Sequence, residues 1–235
     1  ANSNLYLMLA DGETAPRPLT ELAGSTEVYF QPVWGPNGRY LYYAHNIPDA
    51  NDIFKVRTYV ERWDVLTGEQ SQLVADAFWP RPSDDGTLLA YVRLNPETLA
   101  RSLHVADADG QNSREVIAES QFADVDAPLF SADGEWLYFS AVEEAVSRRY
   151  WWEVVLGVEV AYAHDVPSDW WRVPVVGGEP ERITMIEGVG MFGVFNGRFL
   201  AFSSNEGLYL LPPDEREPTL LLETVATNSL SWISR

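Results

Sequence analysis

The chain has no cysteine, so disulfides, thiolate nucleophiles and zinc–thiolate centres are excluded, and cysteine usage gives no clue to the redox compartment. It is also poor in basic residues: 16 Lys and Arg stand against 35 Asp and Glu, a formal charge of −19. Such a chain repels phosphate backbones and anionic lipid surfaces on average, which argues against nucleic acid as a partner. The only adjacent basic pair is Arg148-Arg149. Nowhere do apolar residues run to the ~18 that a membrane-spanning helix needs. The opening Ala1-Asn2-Ser3-Asn4 lacks the charged-then-apolar order of an export signal. Catalytic signatures are missing too: there is no Gly-x-Ser-x-Gly elbow, no Gly-rich phosphate loop and no His-Glu-x-x-His. No cofactor and no metal ion is expected.

What the chain does have is apolar and aromatic content, 46% and 13% of 235 residues, enough to bury the core of one large domain rather than remain disordered. That content recurs with a period. Pro32-Val33-Trp34-Gly35-Pro36-Asn37-Gly38 precedes Arg39-Tyr40-Leu41-Tyr42-Tyr43, Pro80 to Gly86 precedes Thr87-Leu88-Leu89-Ala90-Tyr91, and Pro128 to Gly134 precedes Glu135-Trp136-Leu137-Tyr138-Phe139. Prolines 32, 80 and 128 are spaced by 48, as are glycines 38, 86 and 134. Asn-Gly and Asp-Gly accept the positive φ of tight hairpin turns, so each unit opens strand, turn, strand. A shorter fourth copy reads Phe195-Asn196-Gly197, then Arg198 to Phe202.

A second hairpin follows each copy: Trp63 to Gly68, Leu103 to Gly110, Trp171 to Gly178, and more weakly Leu208 to Asp214. Leu5 to Gly12, running on to Leu19-Thr20, is one more at the start of the chain. Four strands per unit, repeated every 40 to 50 residues, is the signature of propeller blades that bury both faces against their neighbours. The unit Pro-x-aromatic-x-x-Asp-Gly, aromatic strand, aliphatic strand, Asp-x-Gly-Gly and a closing Leu-Thr or Ile-Thr resembles the TolB-type (WD40-like) repeat. Gly177-Gly178-Glu179-Pro180-Glu181-Arg182-Ile183-Thr184 matches it most closely.

The expected fold is therefore all-β: one propeller domain over residues 1–235 with about five four-stranded blades and an insertion at about 140–161. Ser231-Trp232-Ile233 is expected to join Leu5-Tyr6-Leu7 in a closing blade shared by both termini; the alternative is that the chain is a fragment of something longer. Trp34, Tyr43, Trp63, Tyr91, Phe130, Trp136 and Phe139 are expected to be buried between or within blades. A short helix within 142–156 is expected to stop at Gly157. The family resemblance implies an extracytoplasmic protein without catalytic activity that binds a protein or a peptidoglycan-associated partner. TolB-type proteins themselves resemble a six-bladed ring with an added α/β domain, and neither the sixth repeat nor that domain is found here.

Propeller loops converge at the ends of a central channel, where function concentrates. Tyr43-Ala44-His45-Asn46-Ile47-Pro48, Tyr91-Val92-Arg93-Leu94-Asn95-Pro96 and Tyr162-Ala163-His164-Asp165-Val166-Pro167 share the form Tyr-x-His/Arg-x-x-Pro. On this alignment His45, Arg93 and His164, with Asp165, form an arc suited to an anionic or polar ligand. An equally open reading packs the Tyr, ends the strand at Pro and leaves the middle residue solvated. Exposed histidines there would make affinity for an anion fall as pH rises through about 6.5. The insertion brings Tyr150, Trp151 and Trp152 beside Arg148-Arg149, residue types that dominate binding hot spots and that equally well cover a channel mouth. An alternative of another class is a five-bladed glycosidase-like enzyme with paired carboxylates at the channel mouth. Against it, Asp85, Asp109 and Asp133 sit beside turn glycines, where Asp is favoured for local backbone hydrogen bonds.

Overall fold

The computed structural model describes residues 4–9, 13–21, 26–49, 52–143, 168–185, 192–195, 199–204, 207–212, 215 and 217–223. Every regular element among them is a β-strand. A short N-terminal hairpin, β1 (Tyr6–Leu7) and β2 (Arg17–Pro18), precedes four antiparallel sheets of four strands each. The first is β3 (Val28–Trp34), β4 (Tyr40–Asp49), β5 (Asp52–Asp64) and β6 (Gln70–Ala75); the second β7 (Ala77–Pro82), β8 (Leu88–Leu94), β9 (Arg101–Asp107) and β10 (Arg114–Ile117). The third holds β11 (Asp124–Phe130), β12 (Trp136–Val142), β13 (Asp169–Pro174) and β14 (Glu181–Arg182); the fourth β15 (Phe192–Phe195), β16 (Leu200–Ser204), β17 (Gly207–Leu211) and β18 (Thr219–Glu223).

Within each sheet the strands follow chain order, and the first strands of successive sheets lie against one another: β3 on β7, β7 on β11, β11 on β15. Radial meanders joined along their first strands make a β-propeller, with those strands lining the axis.

The 48-residue period is a repeat of hydrogen bonds as well as of letters. Gly38, Gly86 and Gly134 take φ of 66°, 72° and 71°. In each turn a backbone N–H at 35, 83 or 131 donates to the carbonyl at 40, 88 or 136, over 2.8, 3.0 and 2.8 Å. The side chains of Asn37, Asp85 and Asp133 each accept the N–H two residues on, at 3.0 Å. The closing Thr of the repeat has an equally local cause. Thr20 Oγ1 accepts Leu5 N–H and Thr184 Oγ1 accepts Trp170 N–H, both at 2.9 Å, so this hydroxyl ties the last strand back to the third.

Cores lie between blades. Tyr42, Val60, Leu89 and Tyr91 join the first and second sheets, and a larger cluster from Val92 through Phe139, Trp170 and Phe202 joins the second, third and fourth. Leu5 of the N-terminal hairpin packs with Leu41 and Tyr43 of the first sheet. Of the aromatics expected to be buried, Tyr43, Tyr91, Phe130 and Phe139 are, while Trp63 and Trp136 are half-buried. Trp34 is a correction: it is 43% exposed. It ends β3 beside the turn, where its repeat counterpart Pro82 is buried, so strand membership alone did not give burial. The closing strand 229–235 and the Asn196-Gly197 turn lie outside the described residues; of the 142–156 segment expected to hold a short helix, Val142 ends β12 and 144–156 lie outside them.

Trp170 is fully buried, and its ring lies over the backbone of Gly193 on β15: a Cβ placed there would sit 2.7 Å from the indole. Gly193→Ala is therefore expected to destabilise the protein by about 1–3 kcal/mol through overpacking. Thermal melts check this, and an unchanged midpoint would show that blade four does not bear on Trp170.

Candidate functional site

The two ends of the ring differ. At one end the first-to-second-strand turns of neighbouring blades meet, since a Cβ on Gly86 would lie 3.1 Å from the Pro36 ring. At the other end the second-to-third-strand connections leave the sheets. In the first blade this end is extended. β3 stops pairing with β4 at Val28↔Asn46 and β6 stops pairing with β5 at Tyr59↔Ala75, yet β4 and β5 continue to pair with each other through Ile47↔Arg57, Pro48↔Val56 and Asp49↔Asp52. The result is a two-stranded ribbon standing beyond its sheet. In the third blade Ala141 pairs with Asp169, so the long connection between β12 and β13 leaves from the same end.

His45 and Arg93 occupy the same place on neighbouring blades, through the registers Tyr29↔His45 and Ala77↔Arg93. Their surroundings differ. His45 is only 5% exposed, its Nδ1 lies 3.2 Å from Glu61 Oε1 and its Nε2 3.2 Å from Glu27 Oε2. Tyr29 stacks on the ring at 4.0 Å, and Gln72 Nε2 donates to Glu61 Oε1 at 3.1 Å. A neutral imidazole donates to only one of these carboxylates and a protonated one to both. His45 is thus not the exposed histidine that the anion reading requires. Arg93 is exposed.

The position on β12 matching His45 and Arg93 by register is Ala141, paired with Val125. His164, Asp165, Tyr150, Trp151 and Trp152 lie outside the described residues. Among the described residues no group of three or more His, Asp or Glu is arranged to hold a metal ion. Gly188, Gly190 and Gly193 do have the Gly-x-Gly-x-x-Gly spacing, which the expectation of no Gly-rich phosphate loop passed over. Gly193, however, is a strand residue beneath Trp170 and opens no helix, so this is not a dinucleotide loop.

Two polar clusters escaped the sequence reading. In the first, Ser102 Oγ lies 3.0 Å from His104 Nε2, Ser113 Oγ lies 3.3 Å from Nδ1, and Tyr91 stacks on the ring. Burial, reinforced by the charge of Arg93, pulls His104 down to about 4. The imidazole is therefore neutral at ordinary pH and serves as a satisfied core group.

The second cluster joins blades two and three at the first strand of blade three. Arg101 Nη1 lies 2.8 Å from both Asp124 Oδ1 and Asp126 Oδ1. Burial pushes Asp126 up to about 6, against the opposing pull of Arg101 and a hydrogen bond from the Trp79 indole. The period carried the signal: at 48-residue spacing Asp126 stands where Phe30 and Phe78 stand in the other blades.

The comparisons agree on the fold. No family profile matches the chain, and no curated protein matches its sequence. Among solved structures it is similar to TolB from Acinetobacter baumannii, at 15% identity and a TM-score of 0.67, covering 94% of this chain and 49% of that one. A puromycin-hydrolyzing peptidase of Mycobacterium tuberculosis matches at 21% identity and a TM-score of 0.60, over 93% and 35% of the two chains. The β-propeller domain of the Trilobed protease from Pyrococcus furiosus, described as having an open velcro topology, matches at 14% and 0.55, over 87% and 59%. The chain has a TolB-like β-propeller fold and spans about half the length of the TolB structure.

Because Asp126 binds its proton more tightly folded than unfolded, the stability it contributes is full below about 4 and is lost as pH rises through about 6. Melting temperatures measured across that window should show Asp126→Asn gaining on the wild type as pH increases. A constant difference between the two would contradict the assignment.

Proposed function

We propose that this chain is a propeller-based binding module without catalytic activity, taking a protein or a peptidoglycan-associated partner at the end of the ring where the β4–β5 ribbon and the β12–β13 connection emerge. One observation supports this above the others: the longest strands of the fold and the only long departure from the 48-residue period leave the ring on the same side. The ribbon carries exposed Val56 and Arg57, Arg93 lies on the neighbouring blade, and Tyr150, Trp151, Trp152, His164 and Asp165 belong to the connection. Aromatics flanked by guanidinium groups suit hot-spot contacts on a rigid frame. His45 serves this rim as a support, holding Glu27, Tyr29 and Glu61 together beneath the ribbon. The reading takes residues 1–235 as one propeller domain with its insertion at about 140–161, closed by a blade shared between the termini. The proposal includes an extracytoplasmic location, supported by the resemblance to TolB alone.

The glycosidase-like alternative has one observation in its favour. Asp124 and Asp126 form a carboxylate pair on a first strand, and the pKa of one of them is raised. Both, however, lie on Arg101, which leaves neither free to serve as nucleophile or base.

Capture from a cell-envelope extract tests the binding reading. Replacing Arg57, Arg93 and Trp152 by Ala together should weaken partner capture at least about tenfold, which is about 1.4 kcal/mol, without lowering the melting temperature. Unchanged capture would remove the rim as the site. Hydrolysis of an oligosaccharide by the purified chain, lost in Asp126→Asn, would replace this reading with the enzyme.

A further inference from the structure

Four arginines of the described blades sit on carboxylates: Arg39 on Asp64, Arg101 on Asp124 and Asp126, Arg172 on Glu181, and Arg182 on Asp169 and Glu143. Arg81 does not. It lies on β7, a first strand, just past the irregularity at Trp79-Pro80, and pairs across the ladder with Ala90. Its Nε donates to the carbonyl of Pro128 at 3.3 Å, on the first strand of the next blade. Among the described residues that neutral carbonyl is its one acceptor, in a chain carrying 35 carboxylate side chains.

The side chain keeps part of its surface open, yet it is enclosed enough that desolvation alone pulls its pKa down to about 10. Its hydrogen bond to Pro128 holds the guanidinium between the first strands of two neighbouring blades, half-buried and not in the sealed core. A desolvated cation is costly unless it is paired and hydrogen-bonded. Nη1 and Nη2 remain as donors in the fixed fork that matches an oxyanion with two parallel hydrogen bonds.

We propose that Arg81 is the cationic base of an anion site on the propeller axis, between the first strands of blades two and three, which takes a small oxyanion, either phosphate or a carboxylate. The site does not depend on the rim reading, since none of the rim residues forms it. The net charge of −19 disfavours anions at long range, but at about 0.15 M salt the Debye length is about 8 Å, so local contacts decide binding there.

The test is thermal unfolding of the full chain at constant ionic strength, titrated with inorganic phosphate and, separately, with acetate. The wild-type melting temperature should rise saturably with at least one anion, and which of the two is preferred separates the phosphate source from the carboxylate source. Arg81→Met should weaken the apparent affinity at least about tenfold. Without added anion it should melt no lower than the wild type, because an unpaired enclosed charge has gone. If Arg81→Met fails to fold, Arg81→Lys decides: it keeps the charge but loses the fork, and its response should be clearly weaker than that of the wild type. Insensitivity of the wild type to both anions would overturn the site. So would an equal response in wild type and Arg81→Met or, where that variant does not fold, in Arg81→Lys.

Discussion

The ring depends on a kink repeated in its innermost strands. Gln31, Trp79 and Ala127 have φ of 51°, 54° and 50°, each stands immediately before a proline, and each falls at a register shift against the second strand of its blade. Proline has no N–H for the ladder, and a β-bulge places two residues opposite one, bending the strand and re-aiming a side chain. A left-handed conformation at a non-glycine residue is uncommon, and three at one repeat position make it a constraint of the blade. What it achieves is contact with the next blade. Gln31 Oε1 accepts the N–H of Trp79 at 2.8 Å, and the Trp79 indole in turn donates to Asp126. The bulge residue of one blade thus satisfies a polar group in the bulge region of its neighbour, and the chain of links runs around the axis.

Where that relay ends, packing takes over. Ala127 has no side chain to continue it, and the third and fourth blades instead meet through Trp170, Phe202 and the bare backbone of Gly193. Two charged groups beside the relay have shifted pKa values. Asp126 rises because it is buried at the bulge of β11, and Arg81 falls because it is desolvated beside the bulge of β7. Near the axis, enclosed charges hold fixed positions between the first strands, while Val56 and Arg57 stand exposed on the extended β4–β5 ribbon.

The period of 48 made the blades legible because each copy repeats the same turn chemistry. Positive-φ glycines, Asn or Asp side chains accepting the N–H two residues on, and a hydroxyl closing the last strand are all local effects written within a few letters. Side-chain surroundings across strands were not legible. Nothing near His45 in sequence announces Glu27 and Glu61, which reach it from 18 and 16 residues away through the strand register. The shared Tyr-x-His/Arg-x-x-Pro form aligned His164 with His45 and Arg93; by register the matching strand position is Ala141, and His164 itself lies outside the described residues. The prolines at 32, 80 and 128 were seen as part of the repeat, yet the left-handed residue before each was not, because residues before proline ordinarily stay extended. Asp126 lies in a strand and not at a turn glycine, and only its repeat counterparts Phe30 and Phe78 mark it as the odd member of its column.

The link between successive inner-strand bulges is what joins the blades, and amide hydrogen exchange of Gln31→Ala measures that link most directly. Removing the carboxamide should release the Trp79 amide, so exchange in the peptide covering 77–82 should quicken markedly while the peptide covering 101–107, on an outer strand of the same blade, keeps its protection. Unchanged exchange at 77–82 would contradict the claim that the bulges hold the blades together.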